Sequence, residues 1–290
     1  MGQFVRRETR GRPAPFARMG QHWYPSFFRY SKLLTGGPLS WCDKLASTPS
    51  VGLKFDYHYV SGGSILTALA PLVNKWVDGD KQLFSIDHQD SLSIILTTEN
   101  GFRYTFDSSK AVVEFKHRLK AKAVSAGPPV LEMLSHALPF TKLLPEVSRR
   151  LVEATSLVAQ KKARSLQRVG VISTTIVTED EAPPGIRRFL EYVGRPWKAS
   201  LDDYNLRLIA PISQTSKWTD QCIHQMWKTE ESEGLCTLIF DWQRVFPTPK
   251  SVSMESLKET IDSAADSALE YFEDLAEGNR FDVQLLSKTA

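Results

Sequence analysis

The feature that most constrains how this 290-residue chain can fold is an order of patterns that runs twice from about residue 50 onward. In the first run Leu53, Phe55, Tyr57 and Tyr59 alternate with polar neighbours, the period of a half-buried strand. Gly62-Gly63-Ser64 then opens a helix with Ser64 expected as its N-cap, and Ile65, Leu69, Leu72, Val73 and Trp76 recur at helical spacing before Gly79. Strand-like runs follow around 82–86, 92–98, 102–107 and 111–119, parted by Asp87-His88-Gln89-Asp90, Asn100-Gly101 and Asp107-Ser108-Ser109. The Asn-Gly pair is a strong hairpin signal, because both residues tolerate the left-handed backbone such turns need. A proline-punctuated helical region from Val130 leads to a longer helix with Leu144, Val147, Leu151, Ala154 and Val158 on one stripe.

The second run starts with a strand from Arg168 to Val177 and a helix after Pro183-Pro184, carrying Ile186, Phe189, Leu190 and Val193 and stopping at Gly194. Strand-like runs near 203–212, 217–228 and 235–246 come next. The last of these, Leu235 to Phe246, is the most β-rich segment of the chain and is expected inside a sheet rather than at its edge. A final helix from about Met254 to Ala276 gathers Leu257, Ile261, Ala265, Ala268, Phe272 and Leu275 on one face, with Glu255, Glu259, Asp262, Asp266, Glu270 and Glu273 turned away.

The expectation is an α+β fold of two similar halves, each running strand, helix, antiparallel strands, long helix, with the sheet gripping the long helix so that both apolar surfaces are buried. The boundaries read as a basic and aromatic arm, partly disordered, over 1–49, a first half over 50–163, a second over 164–280, and a tail over 281–290. The order resembles helix-grip and TATA-binding-protein-like halves, a likeness of topology that implies fold alone. Arg168-Val169-Gly170 opening a strand, Leu238-Ile239-Phe240-Asp241 running from apolar into acid, and Phe272-Glu273 in the terminal helix resemble a sporadically distributed bacterial family of uncharacterised proteins. That family has an aromatic-Ile-Asn-Arg-Ile strand where this chain has Ile172-Ser173-Thr174-Thr175-Ile176. The resemblance implies a fold and a bacterial setting, and carries no mechanism.

No apolar run approaches the length of a membrane span and no secretory pattern is visible, so a cytoplasmic protein without membrane contact is expected. Cys42, Cys222 and Cys236 are few and far apart, which suits neither a disulfide framework nor a zinc site. Net charge is only +3, so any polyanion partner would have to be recognised by local clusters. One such cluster is Arg6, Arg7, Arg10, Arg12 and Arg18. It reads as a solvated tail or an over-long gene start, since Met19-Gly20-Gln21 repeats Met1-Gly2-Gln3, with a phosphate-tracking arm as the alternative. Lys116, Arg118, Lys120 and Lys122 form another.

Walker loops, GxSxG elbows, HExxH pairs, EF-hand loops and GxGxxG turns are missing from the sequence. Gly63-Ser64 with Asp78 and Asp80 is the nearest approach to a catalytic signature, a Gly-Ser plus paired-acid arrangement that in nucleotidyltransferases holds triphosphate and metals. Asp78-Gly79-Asp80 reads equally as a helix stop. No cofactor or metal is expected. His224 shares a strand face with Trp218, Cys222 and Met226 and is expected as a core residue. The leading expectation is a non-enzymatic binding or assembly module working through protein contacts or self-association, with Trp197, Trp218 and Trp227 as exposed candidates. The alternatives are a nucleic-acid binder using the arm and the Lys116–Lys122 cluster, and a metal-dependent nucleotidyltransferase-like enzyme.

Overall fold

The structure, a computed structural model, describes residues 40–57, 61–117, 119–122, 130–133, 138–159, 165–194, 203–229, 235–251 and 253–281. A short helix α1 (Trp41–Lys44) precedes β1 (Thr48–Phe55) and α2 (Gly62–Asn74). A meander of β2 (Phe84–Gln89), β3 (Ser93–Thr98), β4 (Phe102–Asp107) and β5 (Lys110–Phe115) follows, then a ribbon of β6 (Leu119–Lys122) and β7 (Val130–Met133), and α3 (Phe140–Ala159). The rest of the chain forms β8 (Ser165–Thr178), α4 (Pro184–Gly194), β9 (Tyr204–Gln214), β10 (Thr219–Lys228), β11 (Leu235–Ser251) and α5 (Met254–Glu277). The fold is mixed α+β.

Nine antiparallel strands make one sheet in the order β2-β3-β4-β5-β1-β8-β11-β10-β9. Each meander returns to its starting strand, β5 beside β1 and β11 beside β8, and β1 and β8 pair at the middle with Val51 opposite Val171. Alternation along the strands decides the faces: Val51, Leu53, Val113, Val171, Leu238, Phe240 and Trp242 point to one side and are buried, while their neighbours stay partly exposed. All the long helices cover that one side. α3 lies over β1 and β5, α5 over β8 and β11, with α2 packed beside α3 and α4 beside α5. α3 and α5 meet directly, with Phe140 edge-on to Phe272.

α1 ties this layer together. The Trp41 backbone N–H donates to both carboxylate oxygens of Glu273 on α5, and the buried Asp43 carboxylate accepts from the Thr141 amide and hydroxyl at the start of α3, each at 2.9 Å. A carboxylate there meets the unpaired amides of the helix N-terminus.

The apolar stripes fall where periodicity puts them. On α5 Leu257, Ile261, Ala265, Ala268, Phe272 and Leu275 are all buried. Asn100-Gly101 turns β3 into β4 with Gly101 at φ 96°, where a Cβ would also meet the Lys116 carbonyl at 2.4 Å.

Three local expectations need correction. The N-cap of α2 is Ser61, whose hydroxyl accepts from the Ser64 amide; Gly62 lies inside the first turn because a Cβ there would stand 2.4 Å from the Asp90 carbonyl. Asp87-His88-Gln89 belongs to β2, and the turn centres on Asp90, whose Oδ1 accepts from the Leu92 and Ser93 amides at 2.7 Å. Val130–Met133 is a strand, because pairing with Leu119–Lys122 satisfies its backbone.

Candidate functional site

The residues singled out by sequence do not converge. Ser64 and the Asp78–Asp80 pair stand at opposite ends of α2 and its terminal π turn (Lys75–Gly79), about 21 Å apart for fourteen residues at helical rise. Both acids are exposed, and Asp80 takes up helix-end geometry, its amide donating to the Lys75 carbonyl. Among the described residues no group of three or more His, Cys, Asp or Glu is placed to hold a metal. Lys116 is engaged by Glu114 at 3.3 Å, and Glu114 also receives Arg103 at 3.0 Å. Lys120 and Lys122 lie on β6, which is described by its backbone alone. Arg6, Arg7, Arg10, Arg12, Arg118 and Trp197 lie outside the described residues. Trp218 is packed rather than displayed, with the Arg244 guanidinium 4.8 Å over its ring.

His224 takes the core role expected of it. It is buried under α5, with Nε2 3.0 Å from the Tyr271 hydroxyl and Phe240 edge-on. Burial pushes its pKa down to about 4. The native imidazole is therefore neutral while the unfolded one protonates near 6.5, so the unfolded state binds the extra proton between those values. Stability is expected to fall as pH drops from about 6.5 toward 4, by up to about 1.4 kcal/mol per pH unit. Urea midpoints measured across that range check it, and His224→Gln should flatten the slope.

Beside it, Arg244 donates to Asp220 through Nε at 2.8 Å and Nη2 at 3.0 Å. Ser263 on α5 takes the remaining guanidinium nitrogen at 3.0 Å and Ser213 donates to Asp220 at 3.1 Å. Every strong group there has a partner, which makes it a fastening rather than a site.

The face of the sheet opposite the helices is different. Register places Ile209, Ile223, Asp241, Ile172, Ser50 and Glu114 in one row across β9, β10, β11, β8, β1 and β5. Asp241 thus stands between Ile223 and Ile172, with Ile239 and Gln243 two residues away on its own strand. Gln243 is 3% exposed although it faces away from the helices. Its amide donates to Asp241 Oδ2 at 2.6 Å, and its carbonyl accepts from Arg168 and from Gln221, each at 3.1 Å.

Burial among these side chains raises the Asp241 pKa above the ordinary carboxylate value, while Gln243, Arg168 and Arg207 partly hold it down. The second oxygen, Oδ1, has no hydrogen-bond partner among the described residues. Gly170 and Gly52 face each other on the central pair of strands and leave a floor of bare backbone beside the carboxylate, whose Oδ1 would be 3.4 Å from a Cβ at Gly170. No family model, curated protein or solved structure matches this chain.

The site is therefore a carboxylate with one free oxygen, set in an isoleucine patch and backed by two amides and two guanidinium groups. Among the described residues it holds neither an activated nucleophile nor converging metal ligands. In sequence, Leu238-Ile239-Phe240-Asp241 stands out only as an apolar run into acid. The available signal was an acid on the solvent-side alternation of the most β-rich strand, with isoleucine two residues before it and glutamine two after.

Proposed function

We propose that the chain is a binding or assembly module that works through protein contacts on the open face of its sheet. The observation that carries this reading is the one-sided covering of the middle of the sheet: helices bury one face of β1, β5, β8 and β11, and the other face presents isoleucines around a partly desolvated carboxylate. Ile176 and Ile209 on this face are 62% and 52% exposed. Apolar side chains ringing a few oriented polar groups are the usual make-up of a protein contact, where the desolvated centre carries most of the energy. We further propose that the two halves are copies of one plan. β1, α2, the β2–β5 meander and α3 correspond to β8, α4, the β9–β11 meander and α5, which sets the two first strands against each other at the centre.

A photo-crosslinking residue placed at Ile223 in the intact chain, in its own cells, is expected to give a discrete protein adduct, while the same residue at Asp266 on the solvent side of α5 gives none. Adducts from both positions alike, or from neither, would overturn the reading.

A second reading rests on Lys110, Lys54 and Arg168, which register places side by side on β5, β1 and β8 at one end of the same face. This row suits phosphate contacts, and nuclease-sensitive adducts with steep salt dependence would favour a nucleic-acid partner.

A further inference from the structure

The open face carries, within one chain, both halves of an unmade contact. Asp241 keeps Oδ1 free, and neither Arg168 nor Arg207 has a carboxylate within ion-pair distance among the described residues. Ile172 and Ile223 flank Asp241, and Ile223 and Ile239 lie on the side toward Arg207. We infer that the occupant of this face is a second copy of the same chain, joined about a two-fold axis so that the isoleucine patches meet and Asp241 of each copy receives a guanidinium, from Arg168 or Arg207, of the other.

This deepens the reading of the face as a protein contact and depends on it. Two-fold pairing matches every group on one copy with its complement on the other in a single operation, which is what a self-complementary surface needs. Area agrees. Nine strands at about 4.8 Å spacing span about 38 Å, and Arg168 to Ile176 along β8 covers about 27 Å, so full overlap offers about 1,000 Å² per copy. A stable contact needs about 800 Å² per partner. The side chains also suit face-to-face sheets about 10 Å apart. Isoleucine, valine, threonine and glutamine fill that layer, with Val112 lying over Gly52 and Asp241 beside Gly170.

Native mass spectrometry and sedimentation of the intact chain at micromolar concentration are expected to give twice the chain mass. Ile223→Lys with Ile239→Lys should weaken dimerisation by about 30-fold or more, since two charges would be buried at the patch centre. The decisive version is a charge exchange. Asp241→Arg alone, and Arg168→Asp with Arg207→Asp alone, should each be monomeric, and a mixture of the two should recover a heterodimer. A native-like circular-dichroism spectrum and a cooperative urea transition in each variant monomer, with a midpoint lower only by the lost association, show that the fold is retained.

A wild-type monomer would overturn self-association, and a dimer indifferent to the lysine pair would overturn self-association through this face. The Ile223 crosslinker separates the two ideas. An adduct of another protein with a monomeric wild type leaves the face a docking surface and removes only the second copy, whereas no adduct at all removes both.

Discussion

Arg244→Ala is expected to lower stability by about 3–5 kcal/mol, the usual consequence of removing one partner from a buried ion pair. The cost lies in what remains. Asp220 would keep its place under α5 with side-chain exposure of only 8%, having lost two charged donors and retaining the Ser213 hydroxyl. The guanidinium also packs between Trp218 and Trp242, at 4.8 and 5.2 Å from their centroids, so alanine forfeits apolar contact as well as charge. Urea denaturation read by tryptophan fluorescence measures this directly. Replacing both members together, Arg244→Met with Asp220→Leu, should recover much of the loss, because no charge is then left unpaired. Equal destabilisation by the single and double variants would show that the pair is not what holds β10, β11 and α5 together.

Phe272→Ala is expected to cost about 3–5 kcal/mol, as for other fully buried aromatics. Phe272 is 2% exposed and touches the ring of Phe140 from α3 and that of Phe240 from β11. It is the residue at which both long helices and the sheet share one contact. Removing it leaves a cavity that none of the three can close without losing other packing. The expected readout is a lower urea midpoint with an unchanged denaturant slope. A loss below about 1 kcal/mol would mean that the helix layer collapses readily into the gap.

The parts of the fold legible in the sequence are those where one period dominates. α5 follows from its apolar stripe, and β3 to β5 follow from alternation broken by Asn100-Gly101 and Asp107-Ser108-Ser109. Capping is legible only to within a turn: Ser64 is the cap the sequence suggests and Ser61 is the cap in the fold, where Gly62 meets the Asp90 carbonyl of the β2–β3 turn. Val130–Met133 could not be read locally, because its strand form comes from pairing with β6.

The candidate site was least legible. The isoleucines, Gln221 and Arg168 around Asp241 come from β8 and β10 and are assembled by register, which no single stretch of sequence displays. Only the alternation of Ile239, Asp241 and Gln243 was local. The basic clusters were conspicuous in sequence for the opposite reason, since charge runs announce themselves whether or not they face anything.

The pairing of β1 with β8 also sets a schedule for the chain as it leaves the ribosome. Asp56, at the end of β1, waits for the amide of Ser165 across 109 residues of sequence. At about 5–20 residues per second the wait is about 5–20 seconds. Through that interval β5 can cover one side of β1 while the other side remains an open edge, able to pair with any strand that reaches it. The strand that ends at the centre of the finished sheet thus spends its first seconds as a border, and β8 closes that border as it emerges.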